Sequence, residues 1–220
     1  MRLIEDLKAE HDLIEQVLGS LRTFVERRLE GAAGALDGAR FLTFFHRYAG
    51  TFHHDKEEVV LFRALAEKAE LPLDRGPLAA LTGEHRRLGG LLEALGGLLD
   101  SELDSTEDRA RLHALAVDYS RSLWRHIDAE NSVLFPEGRE RLRRFHVREL
   151  PSRAITTDEA EARDAGLALI AAYPPLHDAE VHRGDGCIAC PSYGTSCEGL
   201  EVEWWTELEW EDMRERMGSD

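Results

Sequence analysis

The chain has 220 residues and a formal net charge of −16, from 43 Asp/Glu against 27 Lys/Arg. That length suits one substantial core with an appendage. The charge excludes a nucleic-acid backbone as the main partner, because binding phosphates needs a basic surface. The acidity is uneven: residues 149–220 hold 17 Asp/Glu and 5 Lys/Arg, so a boundary is expected near Leu150-Pro151, dividing 1–148 from an acidic extension, 149–220. The first residues carry Glu5 and Asp6 where a signal peptide needs an apolar run. No apolar stretch approaches the ~20 residues of a membrane span. The three cysteines all fall within 187–197, which does not suggest a disulfide scaffold. A cytoplasmic protein with no membrane partner is expected.

In the first segment Ile4, Leu7, His11, Ile14, Leu18, Leu21 and Val25 recur at the 3-4 spacing of a bundle helix, so His11 is expected to point into the core. A Gly-rich break from Gly31 to Gly38 ends it. The second segment, about 38–70, carries Phe41, Phe45, Phe52, Val60 and Ala64, with His46, His53 and Glu57 on or near the same stripe. Pro72 and Pro77 punctuate the next turn. The third repeats the stripe at Leu78, Leu81, His85, Leu88, Leu92, Leu95 and Leu99. The fourth has Leu112, Leu115, Tyr119, Leu123, His126, Val133 and Phe135 and is expected to end near Pro136. Five glycines lie in the third helix (Gly83, Gly89, Gly90, Gly96, Gly97), each costing on the order of 1 kcal/mol against Ala. They mark either close approach or a small-ligand path, or are simply tolerated. Short connections favour antiparallel neighbours. The whole reads as an all-α, antiparallel up-down four-helix bundle with a C-terminal extension.

The halves resemble each other. His53-His54-Asp55-Lys56-Glu57-Glu58-Val59-Val60-Leu61-Phe62 aligns on His126-Ile127-Asp128-Ala129-Glu130-Asn131-Ser132-Val133-Leu134-Phe135 at an offset of 73, and Glu10-His11 on Glu84-His85 at 74. His and Glu at i and i+4 share a helical face, one turn apart. Imidazole nitrogens with carboxylate oxygens suit first-row ions such as iron, manganese or zinc. A carboxylate can bridge two ions and an imidazole binds one. The expected ligands are therefore His11, His53, His85 and His126 as terminal groups, with Glu57 and Glu130 as bridges. Their eight bonds fall short of the twelve that two octahedral ions need, leaving room for a small exogenous molecule. Four core histidines without partners would cost roughly 1–3 kcal/mol each.

His11, the His53–Glu58 run, Glu84-His85, and His126-x-x-x-Glu130 followed by Leu134-Phe135-Pro136 resemble the hemerythrin-like (HHE cation-binding) family, over about residues 1–140. The resemblance implies an up-down bundle holding a di-iron centre, with oxygen binding, iron or oxygen sensing, nitric-oxide handling or peroxide chemistry among the known activities. Oxygen carriers of that family use a further His four residues on in the third helix, where this chain has Gly89, and an aspartate at longer spacing where it has Glu130. Those departures shift the expectation from oxygen transport toward sensing, iron handling or redox chemistry. His46 and Tyr119 each precede a ligand by seven residues and are expected either in an outer-shell pocket or as ordinary buried groups. His54 and Glu58 lie about 100° off the ligand face and are expected in outer-shell or solvent positions. His113 and His146 read as surface residues.

In the extension, Thr156 to Glu159 reads as a capping box opening a helix through Ala172, stopped by Pro174-Pro175. His182, Cys187, Cys190 and Cys197 form a candidate zinc site, with a redox thiol pair or structural cysteines as alternatives. From Leu200 the apolar residues alternate through Val202, Trp204, Leu208 and Trp210, which predicts a short β-strand. The function expected is a di-iron protein that binds or reacts with oxygen, peroxide or nitric oxide. A sensor signalling through the extension is the second reading, and a metal-free interaction bundle the third.

Overall fold

The computed structural model describes residues 1–178 apart from 100 and 104, and every regular element among them is helical. There are five helices: α1 (Arg2–Leu29), α2 (35–69), α3 (Gly76–Leu99), α4 (106–144) and α5 (Thr157–Ala172). Helix α2 starts as an ordinary α-helix over Ala35–Thr43, opens into wider π-helical turns over Phe44–His53 and Lys56–Phe62, and closes as Arg63–Ala69. Helix α4 does the same once, at Glu130–Leu134. Such insertions concentrate at functional sites.

Helix ends follow local chemistry. The Ser105 hydroxyl accepts from the Asp108 amide at 3.0 Å to start α4. At the far end of α2, Glu70 takes a left-handed conformation (φ 58°) that turns the chain out. One boundary differs from expectation, because α4 runs through Pro136 to Arg144. Pro136 sits in the first turn after the π-helical insertion, where the hydrogen-bond register changes and its missing N–H costs little.

Contacts along α1 and α4 run in opposite directions: His11 faces Asn131, and Glu5 faces Arg139 nearer the start of α1. On the α1–α2 side Glu10 meets His53 while Phe24 meets Phe41, again antiparallel as an up-down bundle requires. The core divides into two apolar plugs. One gathers Leu3, Ile4 and Leu7 with Leu61, Phe62, Leu78, Leu81, Leu134 and Phe135. The other gathers Ile14 through Val25 with Phe41 to Phe52, Leu88 to Leu99, and Leu112 to Ile127. The polar side chains of the expected centre lie where the chain passes between the two plugs, His126 just inside the end of the larger plug's run, and form a slab with apolar residues at both ends.

Helix α5 begins with the capping box expected from the sequence, Thr156 and Glu159 each bonding the other's backbone amide. Ala162, Leu169 and Tyr173 belong to the same apolar cluster as α1 and α2. Its close seating needs a glycine: a Cβ on Gly166 would come 2.5 Å from the Phe44 ring. Beyond α5 the chain is tied along α1, the Leu176 amide donating to Gly19 O at 3.1 Å and the Thr23 hydroxyl to Pro174 O at 2.7 Å. The cysteines, His182 and the segment predicted as a strand from Leu200 lie outside the described residues.

Arg153 clamps the entrance of α5 through Glu159, with one N···O distance of 2.9 Å. The guanidinium, opposed by burial and helped by the bonds from Thr156, holds the Glu159 carboxyl down at about 2. A depressed carboxyl contributes stability that is complete above its unfolded value and disappears as pH falls through its folded one. The stability gap between wild type and Glu159→Gln should therefore be full at pH 7, shrink from about 4.5 downward and close near pH 2 in denaturant melts. A gap that persists at pH 2 would assign the clamp another origin.

Three of the five glycines of α3, Gly89, Gly90 and Gly97, are exposed. A Cβ on Gly83, Gly89, Gly90 or Gly97 meets nothing within 4 Å; only one on Gly96 would touch a neighbour, Leu42. Gly90→Ala is accordingly expected to stabilise the fold by about 1 kcal/mol, read as a rise in denaturation midpoint.

Candidate metal centre

Glu57 has a histidine at both i−4 and i−3, and both spacings are turn neighbours on a helix. His53 and His54 therefore straddle it. Across the slab the structure assembles two groups of ligand atoms, each lying within 4.8 Å of one another: His11, His53, Glu57 and Glu130 in the first, and His54, Glu57, His85 and His126 in the second. All six residues expected from the sequence are present and buried. The addition is His54, a partly exposed side chain that joins the second group and stacks on His85 at 3.9 Å between centroids. That places it beside the expected ligands, where the sequence reading had an outer-shell or solvent position.

The two carboxylates lie between the groups. Glu57 presents Oε1 to His53 Nε2 at 3.3 Å and to His11 Nε2 at 3.7 Å, while its Oε2 lies 3.5 Å from His85 Nε2. Glu130 presents Oε2 to His11 and His126 at 3.3 Å each, and Oε1 to His85 at 3.8 Å. The Nε2 atoms of His85 and His126 approach to 2.9 Å. Two nitrogens bound cis to one ion at ~2.1 Å would lie about 3 Å apart, so the spacing fits a shared cation.

Each of four imidazoles is oriented by its other nitrogen. His53 Nδ1–H donates to Glu10 at 3.0 Å, and His126 Nδ1–H to Glu84 at 3.0 Å. His11 Nδ1–H donates to Asn131 at 3.0 Å, and His85 Nδ1–H to Glu58 at 2.6 Å. All four Nε2 lone pairs are thereby turned toward the carboxylates, the arrangement that fixes tautomer and direction in metal sites. Glu58 takes the outer-shell position expected from the sequence. Phe135 stacks on His11 at 5.4 Å and Phe62 on His85 at 6.1 Å, closing the slab toward one apolar plug.

Buried polar atoms normally find hydrogen-bond partners. Among the described residues, all four carboxylate oxygens of Glu57 and Glu130 are buried with none, as is His11 Nε2. Two desolvated carboxylates side by side are costly unless a cation joins them. Some of that charge is balanced by protons. Burial opposes a charged His53, but Glu57 and Glu10 outweigh it and hold the imidazole up at about 9. Burial likewise opposes a charged His85, and Glu130, Glu58 and Glu57 raise it to about 10. Burial would raise Glu130 too, yet His126 and His11 keep it well below the usual carboxylate range. His54 is pushed well down by burial and by its imidazole neighbours, which leaves it neutral and able to donate a lone pair.

The remaining expected residues fall elsewhere. His46 is exposed and joins neither group. Seven residues bring a side chain back to nearly the same face only on an α-helix, and the wider turns over Phe44–His53 carry His46 outward. Tyr119 is buried in the larger apolar plug, edge-on to Phe45 at 5.3 Å, and burial pushes its phenol far up. His113 and His146 are exposed as expected. The sequence reading passed over Lys56, whose side chain is buried beside Glu10 in an ion pair.

A helical slab that converges five imidazoles and two shared carboxylates has the make-up of a cation-binding bundle. The model of the hemerythrin HHE cation-binding domain matches residues 2–137, and the chain belongs to that family. No curated protein and no solved structure gives a significant match.

Proposed function

We propose that this chain is a cytoplasmic, non-haem di-iron protein that binds or reacts with a small oxidant: oxygen, peroxide or nitric oxide. The observation that carries the reading is the pair of buried carboxylates with four unpartnered oxygens between two imidazole groups. Iron suits this set better than zinc. Five nitrogens and four oxygens serve two six-coordinate ions and leave about three positions for a small molecule, whereas zinc prefers four ligands. When bound, the iron pair would supply redox chemistry and a place for the oxidant. The chain's part is to hold His11, His53 and Glu130 on one side, His54, His85 and His126 on the other, and Glu57 across both. The apolar plugs and the Phe62 and Phe135 rings exclude bulk water. The side nearest solvent is marked by His54 and by Glu58, whose side chain is 39% exposed, so a small molecule would approach there.

Metal analysis together with absorption spectra of protein purified with and without air tests the proposal. Two irons per chain and air-dependent charge-transfer bands are expected. Stoichiometric zinc, or no metal after iron-replete expression, would overturn it. Turnover of peroxide or nitric oxide above that of free iron would make the protein an enzyme.

A second reading, a sensor that signals through the extension, draws on the way the extension is docked. Arg153 lies 4.9 Å above the Phe52 ring and donates to Thr51 O, two residues before His53. Iron removal should then change hydrogen-exchange protection of Thr157–Ala172. Unchanged protection would dismiss this reading. The cysteines with His182 remain a proposed zinc site, which metal analysis of a Cys187→Ser, Cys190→Ser chain addresses.

A further inference from the structure

The two halves of the slab carry the same His and Glu at the paired ligand positions, and three of the differences between the duplicated segments favour the same side. His54 stands where the second copy has Ile127, Lys56 where it has Ala129, and Glu58 where it has Asn131. The group around His85 and His126 therefore has three imidazoles, and Glu58 and Glu84 back two of them with carboxylates that carry no Lys or Arg ion pair among the described contacts. The group around His11 and His53 has two imidazoles. Behind His11 is the neutral amide of Asn131. Behind His53 is Glu10, whose charge is offset by Lys56 within a buried ion pair. The Lys56 ammonium also lies 4.7 Å from the centre of the Phe52 ring, with the Arg153 guanidinium 4.9 Å from the same ring. The charge behind one group is thus neutralised, while negative charge stands behind the other.

We infer that the two metal positions load unequally, and that Lys56 is the positioning residue that weakens the His11/His53 position by neutralising the carboxylate behind His53. This inference rests on the metal-centre reading above. A carboxylate behind a ligating imidazole makes that imidazole a stronger donor, and outer-shell partners typically change metal affinity by about 10–100-fold. The first equivalent of a divalent ion should accordingly enter the His54/His85/His126 position. The second should bind at least about tenfold more weakly.

The experiment is an anaerobic calorimetric titration of the full ion-free chain with ferrous iron, repeated with cobalt(II) to follow its visible bands. Wild type should show two separated equivalents. His54→Asn should weaken the first and spare the second. Lys56→Met and Asn131→Asp should each strengthen the second by about tenfold or more and leave the first unchanged. Asn131→Asp acts at a partly exposed position and guards against a folding defect in Lys56→Met. Two equivalents that load together in wild type would overturn the inequivalence while leaving the metal centre standing. The same holds if the Lys56 and Asn131 variants act on the first equivalent. A chain that takes up no ion overturns both.

Discussion

Glu130→Gln is expected to reduce the ion content from two per chain to less than one. The amide keeps the shape of the side chain but loses its charge, and one of its two oxygens becomes a donor. Both groups lose by this, because Oε2 faces His11 and His126 while Oε1 faces His85. The ion-free protein should lose stability as well. Glu130 is the charge that faces His11, His126 and His85 and helps hold His85 up at about 10, so a neutral isostere leaves a buried cation without its partner. Ion-free Glu130→Gln should therefore melt below the ion-free wild type at pH 7. Loading is a separate contribution: free ion at a hundredfold its dissociation constant adds about 2.7 kcal/mol per site. That corresponds to about 5–10 °C in a chain of this length. Wild type should show such a shift on adding iron, and Glu130→Gln should not. A variant that retains two ions and the full thermal shift would remove Glu130 from the centre.

Gly38→Ala should be among the most damaging single substitutions away from the centre. A Cβ there would lie 2.1 Å from the carbonyl oxygen of Leu99 and 2.7 Å from its carbonyl carbon. These are backbone atoms at the end of α3, so no rotamer change relieves the overlap. The start of α2 or the end of α3 must move, disturbing Phe41 and Leu99, both fully buried in the larger plug. Overpacking of this kind costs about 1–3 kcal/mol, which chemical denaturation would read as a lowered midpoint. Gly90→Ala, with nothing near its Cβ, is the matched control and should shift the midpoint the other way. Equal effects at the two positions would contradict the close approach of α2 to α3.

Much of the bundle was legible because one period governs it. The stripe residues of α1 and α3 are buried throughout, and His11 and His85 stand in the apolar series where the sequence puts them. The decapeptide repeat located the second and fourth helices and their His-x-x-x-Glu pairs. What the period obscured is also specific. Counting 100° per residue placed His54 off the face and His46 on it; the wider turns over Phe44–His53 carry His46 outward, whereas His54 reaches the cluster at an ordinary helical spacing from Glu57. The signal for His54 was nonetheless present, since Glu57 has histidines at both turn-neighbour spacings. Lys56 could not be found this way. A lysine in a charged run reads as solvated, and its burial depends on Glu10 from another helix. The burial of α5 was equally hidden, since its Gly166 marks a contact with Phe44 that no local pattern encodes.

The four orienting hydrogen bonds each join a different pair of helices: Glu10 ties α1 to α2, Glu58 ties α2 to α3, Glu84 ties α3 to α4, and Asn131 ties α4 back to α1. They form a closed ring, so no helix can rotate or slide without breaking two links. One hairpin alone can make a single link, Glu10 to His53, and leaves His11 with nothing to hold it. Two copies of a hairpin around a twofold axis would complete the circle, which is the geometry expected of a symmetric dimer later fused into one chain.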